Sequence, residues 1–143
     1  TGGGLNFGEA LLLNVPPEGQ ESVGASFAAI RAAPESAERF AGSSFRFWSD
    51  TLDRRMADDL LAGKTPVLLM QGGRDSPGNV AAARATADLF AASGHCGLSY
   101  REYPDLDHAM MGADGRNELK AVLTSAALWV EQQLASGAGC ALP

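Results

Sequence analysis

The chain has 143 residues, 45% of them apolar, with eleven basic against seventeen acidic side chains and a net charge of −6. That length suits about one domain with a buried core, and the acidity, with no Lys/Arg cluster anywhere, argues against a nucleic-acid or anionic-membrane partner. No apolar run approaches the roughly 20 residues needed to cross a bilayer, and TGGGLNFGE lacks the basic region that opens a secretory signal, so a soluble, cytoplasmic protein is expected.

From Gly3 to Gly63 the composition predicts short helices and loops. ALLL (10–13), SFAAIRAA (26–33), ESAERF (35–40) and LDRRMADDLLA (52–62) are separated by Pro16, Pro17, Pro34 and Gly42. In the last of these Leu52, Met56, Leu60 and Leu61 recur at helical spacing, with Asp50 or Thr51 as the expected cap and Gly63 as the stop. Residues 1–63 therefore read as a helical, cap-like insertion.

After Gly63 the pattern changes. Pro66 opens VLLMQ, too short and too uniformly apolar for a surface helix and suited to a parallel strand covered on both faces. GNVAAARATADLFAAS then carries Val80, Ala83, Ala87 and Phe90 on one helical stripe, closed by Gly94. LSYREY (98–103) alternates as a strand with one drier face or as a sheet edge. The loop PDLDHAMMGADG follows it. ELKAVLTSAALWVEQQL sets Leu119, Val122, Leu123, Ala126, Val130 and Leu134 on one side of a final helix. Residues 64–143 thus read as strand, helix, strand, helix. This order implies parallel strands with reactive groups in the loops beyond their carboxyl ends.

Asp75 and His108 occupy those two loops, 33 positions apart. An imidazole can take a proton from a nucleophile only if its other nitrogen is held by an acceptor that fixes the tautomer and stabilises the imidazolium. Asp75 is the expected acceptor, delivered by a rigid strand and aimed by a sharp Gly72–Gly73 turn.

PVLLMQGGRDSP, the helix after it, and LSYREYPDLDHAMM together resemble the last third of the α/β-hydrolase superfamily over roughly residues 64–136. The stretch SSFRFWSDTLDRRMADDLLAGKTPVLLMQG is similar to the segment before that strand in bacterial serine hydrolases with a helical insertion. The resemblance implies the C-terminal part of a doubly wound sheet, Asp75 as triad acid and His108 as triad base. It also implies cleavage of an ester, thioester or amide, with neither cofactor nor metal.

The superfamily's nucleophile stands on a G-x-S-x-G elbow before the acid, and no such string occurs here. GASFA (24–28) comes nearest, but QESV before it makes a poor strand, so Ser26 is expected to be a helix-surface serine. The chain then reads as the C-terminal portion of a larger hydrolase, inactive alone, with TGGG as the tail of a preceding core strand. An open strand edge and apolar helix surface would invite pairing with the missing N-terminal segment or with a second copy. The alternatives are a noncatalytic hydrolase-like binding or assembly module and a flavodoxin-like binding domain.

The remaining motifs read as structural. GKT (63–65) precedes a strand where a phosphate loop would follow one, and TGGGLNFG does not fit GxGxxG. His95, beside Gly94, is expected to meet helix-end carbonyls or water, and Asp105 and Asp107 to build turns. Phe45, Phe47, Trp48, Met110 and Met111 default to core packing, with an apolar substrate pocket as the alternative. Cys96 and Cys140 lack zinc or redox spacing, and read as unpaired thiols in a reducing compartment, with a disulfide between them as the other possibility.

Overall fold

A computed structural model of the chain describes residues 4–136. The elements in order are α1 (Phe7–Leu12), α2 (Pro17–Ala32), β1 (Arg39–Phe40), β2 (Ser43–Ser44), α3 (Phe45–Leu52), α4 (Met56–Leu61), β3 (Val67–Gly72), α5 (Pro77–Ala92), β4 (Leu98–Tyr103) and α6 (Leu119–Ser136). The class is mixed α/β, with two small sheets. No helix among the described residues is long and apolar enough to cross a membrane.

The strand–helix–strand–helix order of the second half matches the sequence reading. β3 and β4 pair in parallel, from Val67 opposite Leu98 to Gly72 opposite Tyr103. On β4, Glu102 takes a two-pronged bond from Arg84 of α5. Ser99 accepts from Trp129 of α6, Arg101 donates to the Ser125 carbonyl, and the Tyr103 hydroxyl meets Ser125 Oγ. Successive strand side chains point to opposite faces, so α5 and α6 lie on opposite sides of β4.

The expectation that β3 is covered on both faces needs correction. Val67 to Gln71 are only half-buried, because β4 is the sole strand partner of β3 among the described residues. A similar correction applies to α6. Val122 is buried, but Leu119, Leu123, Val130 and Leu134 are exposed, Leu134 by 79%. The apolar side of α6 is wider than the surface it meets here.

The first half is helical with one small hairpin. Its core joins Phe27, Ile30, Phe45, Trp48 and Leu52, and Trp48 Nε1 donates to the Phe40 carbonyl at 2.7 Å. Phe45 and Trp48 are therefore core residues as expected, whereas Phe47 is half exposed. Residues 35–40 do not form a helix: Arg39 and Phe40 pair antiparallel with Ser44 and Ser43 across a turn at Ala41 and Gly42, both with positive φ. Residues 52–62 are not one helix either. Ser44 caps α3, which ends at Leu52, and the Arg54 carbonyl turns away to accept from Phe7 N before α4 begins.

The two halves meet where α1 crosses the start of α5. Asn6 and Glu9 form a reciprocal capping box on α1, and Asn14 just beyond it accepts from Gly78 N at 2.8 Å, satisfying one open amide of α5. Gly4 N donates to the Ala82 carbonyl; Thr1 to Gly3, the rest of the expected strand tail, lie outside the described residues. His95 clasps the other end of the sheet. Its Nδ1 accepts from Gly97 N and its Nε2 meets the Gly63 carbonyl, so the ring is the Nε2–H tautomer. Cys96 is disulfide-bonded, which overturns the reading of unpaired thiols and removes the reason given for a reducing compartment; Cys140 lies outside the described residues.

A side chain at Gly78 would place Cβ 2.0 Å from the Ala10 carbonyl, whereas at Gly24, within α2, Cβ would meet nothing within 4 Å. Gly78→Ala should lower stability by about 1–3 kcal/mol through forced separation of α1 and α5. Gly24→Ala should raise it by up to about 1 kcal/mol, and urea unfolding of both variants checks the pair.

Candidate active site

β3 and β4 end side by side, since Gly72 is the register partner of Tyr103. The chains leaving them carry Asp75 and His108 from the same end of the sheet. Two backbone bonds hold these exits together, Gly73 N to the Tyr103 carbonyl at 2.8 Å and Arg74 N to the Leu106 carbonyl at 2.9 Å, and Asp75 N bonds back to Gly72 O at 3.2 Å within the first of them. The glycine pair begins the turn expected of it, closed by Asp75 N on the Gly72 carbonyl, with positive φ at neither residue. What matters is space. A Cβ at Gly72 would lie 2.3 Å from the Asp107 carbonyl, and one at Gly73 would lie 2.7 Å from Pro104 Cα.

The loop bearing His108 is itself tightly built. Asp107 Oδ1 accepts from the amides of Ala109 and Met111, the turn-forming role expected of it. Asp105 presents its backbone carbonyl to Arg74 at 3.4 Å. Leu106 is buried, and isolated bridges pair Leu106 with Gly112 and Met111 with Asn117. Met110 holds a positive φ, fixed by its amide on the Asp107 carbonyl and by its own carbonyl on Glu118 N.

The structure brings Asp75 and His108 into contact. His108 Nδ1 lies 2.9 Å from Asp75 Oδ2. The Asp75 side chain is 8% exposed and the His108 side chain 81%. Every acceptor position of the carboxylate is used. Oδ1 takes Ser76 N at 2.6 Å and Asn79 Nδ2 at 3.1 Å, and Oδ2 takes Gln71 Nε2 at 2.8 Å as well as His108.

Burial pushes the Asp75 carboxyl up, but the bonds from His108, Gln71, Ser76 and Asn79 outweigh it and hold the group down at about 2. Asp75 is thus ionised at neutral pH and can only accept. Nδ1 of His108 must carry the proton, leaving Nε2 as the basic nitrogen. The hydrogen bond to Asp75, with the charges of Asp75 and Asp107 added, raises the His108 imidazole above its ordinary value. Nε2 meets no hydrogen-bond partner among the described residues and faces outward. The arrangement can do one thing well: accept a proton at Nε2 and stabilise the resulting cation.

Ser26 is not at this site in any elbow. It lies within α2, and its hydroxyl donates to the Ser22 carbonyl one turn back, as expected of a helix serine. Among the described residues no group of three His, Cys, Asp or Glu side chains is placed to hold a metal ion. Gln71 and Asn79 were not anticipated. Gln71 was legible only as the one polar residue closing an apolar strand, and Asn79 as a carboxamide four positions after the acid.

The dyad's contribution to stability has a defined pH window. The lowered Asp75 carboxyl stabilises the fold above its unfolded value of 3.8 and loses that contribution as pH falls toward about 2. The raised His108 imidazole contributes fully below 6.5 and ceases to as pH rises through its folded value. The stability difference between the chain and its His108→Ala variant should therefore be greatest between about pH 4 and 6 and shrink on either side, as measured by denaturant titration across pH. Gly72→Ala should abolish this pH-dependent difference by pushing residues 106–107 off the end of β3. In comparisons with known proteins, the chain matches no protein-family model, no curated protein and no solved structure.

Proposed function

We propose that this chain supplies the acid and the base of a serine-hydrolase-type relay acting on an ester, thioester or amide. The observation that carries the reading is the bond from His108 Nδ1 to an ionised, buried Asp75, with Nε2 open to solvent. In such a relay Nε2 takes the proton of an attacking hydroxyl while Asp75 holds the tautomer, and the same nitrogen later returns the proton to the leaving group. Asp75 after one parallel strand and His108 after its neighbour also suit the C-terminal part of a doubly wound α/β-hydrolase sheet, with residues 1–63 as a helical cap-like insertion.

The nucleophile and the oxyanion donors belong, on this reading, to polypeptide other than the described residues. The edge of β3 that has no strand partner among the described residues and the exposed apolar side of α6 support that view, since both are surfaces that a larger sheet would cover. A preceding segment or a second copy of the chain would fill this place, and the substrate would be a small molecule. A second reading, a noncatalytic hydrolase-like binding or assembly module, is favoured by one observation. Ser26, the serine of the string nearest to an elbow, is committed to its own helix.

An aryl-ester assay separates these readings. The chain alone should give no turnover beyond that of a free imidazole, and Ser26→Ala should change nothing. In an assembly that holds the nucleophile, His108→Ala should lower kcat by about 10⁴-fold or more. Unchanged activity in that variant would favour the binding module, and robust turnover by the chain alone that Ser26→Ala removes would overturn the assignment of the nucleophile elsewhere.

A further inference from the structure

Two donors converge on one oxygen of Asp75. His108 Nδ1 lies 2.9 Å from Oδ2 and Gln71 Nε2 lies 2.8 Å from the same atom. Gln71 Nε2 is also 2.9 Å from the Gly72 carbonyl. Both neighbours of that nitrogen are pure acceptors, so the amide must present its NH2 end to them; reversed, it would set oxygen against oxygen.

Gln71 is well fixed for this role. It is the last side chain of β3 before Gly72, in register with Glu102, and Glu102 is in turn held by Arg84 and the Tyr100 hydroxyl. The position of the carboxylate, by contrast, does not depend on Gln71. Ser76 N and Asn79 Nδ2 hold the other oxygen, and the start of α5 holds the backbone. What remains for Gln71 to do is electrostatic. A donor sharing Oδ2 draws negative charge away from the oxygen that faces the imidazole, and so weakens the pull of Asp75 on the imidazolium.

We propose that Gln71 is a positioning residue that tunes His108 through the oxygen they share, holding the imidazole's proton affinity closer to the neutral range in which a general base works. The catalytic meaning of this tuning rests on the hydrolytic reading above, but the tuning itself does not. Among the described residues the charged groups acting on His108 are Asp75, through the hydrogen bond, and Asp107 beside it in sequence. Gln71, Ser76 and Asn79 are neutral, so each variant below changes one known influence.

The test is an NMR pH titration of the His108 ring in the intact chain, with His95, clasped at the far end of the sheet, reporting whether the fold persists. Gln71→Met removes the donor at nearly constant volume, and the His108 midpoint should move up. Asp75→Asn should move it down. If Gln71→Met leaves the midpoint unchanged or lowers it while Asp75→Asn still lowers it, the dyad stands and the role given to Gln71 is wrong. Should Asp75→Asn also leave it unchanged, the dyad is absent and both proposals fall. If the midpoints follow the predicted order but His108→Ala leaves the activity of an assembly that holds the nucleophile unchanged, the hydrolytic reading alone falls.

Discussion

The parallel pairing of β3 with β4 is the constraint on which the candidate site depends. Six register pairs bring Gly72 and Tyr103 level, and only from level strand ends can an acid three residues on and an imidazole five residues on meet at hydrogen-bond distance. The side-chain period of a strand is two, so a slip of one residue would send Gln71 to the opposite face and remove a donor from Asp75. The glycines add a second condition. With any Cβ at residue 72 or 73 the two exits could not pack against one another, and the register alone would not deliver His108 to Asp75.

The site joins a rigid acid to an exposed base. Asp75 is saturated by four donors from a strand, a helix start and the His108 loop, whereas His108 stands on a loop braced by Asp107 and by the left-handed turn at Met110. This division suits proton transfer, because the charged partner that does not move is buried and the nitrogen that exchanges a proton is reachable. The same half of the molecule leaves apolar surface on β3 and α6 uncovered. The geometry at one end of the sheet is complete while β3 stays half-buried and α6 keeps apolar side chains exposed, and this contrast underlies the proposal that other polypeptide carries the nucleophile.

Much of the second half was legible in the sequence because each of its elements announces itself locally. VLLMQ between Pro66 and Gly72 has the uniform apolar run of a parallel strand, and Gly94, at φ +68, ends α5 as a C-terminal glycine should. The first half misled where tertiary contacts set the boundaries. Leu52, Met56 and Leu60 keep helical spacing, yet Leu52 is fully buried in the aromatic core while Met56 and Leu60 are exposed. In the break between them the Arg54 carbonyl accepts from Phe7 N. The hairpin at 39–44 escaped notice because Ala41 takes a positive φ that alanine rarely adopts. In the site, the types and places of Asp75 and His108 could be read directly. The donors Gln71 and Asn79 could not, since a carboxamide in sequence gives no sign of which acceptor it will meet. The bonded state of Cys96 was equally hidden, because residue spacing alone does not decide pairing.

The central claim is that an ionised Asp75 holds His108 in one tautomer, and the ring nitrogens of His108 test it most directly. A ¹⁵N spectrum of the histidine side chains above the His108 titration should show Nδ1 protonated and Nε2 bare, with the Nδ1 proton shifted far downfield by the carboxylate. A ring that carries its proton on Nε2, or that averages between the two forms as a free imidazole does, would contradict the account.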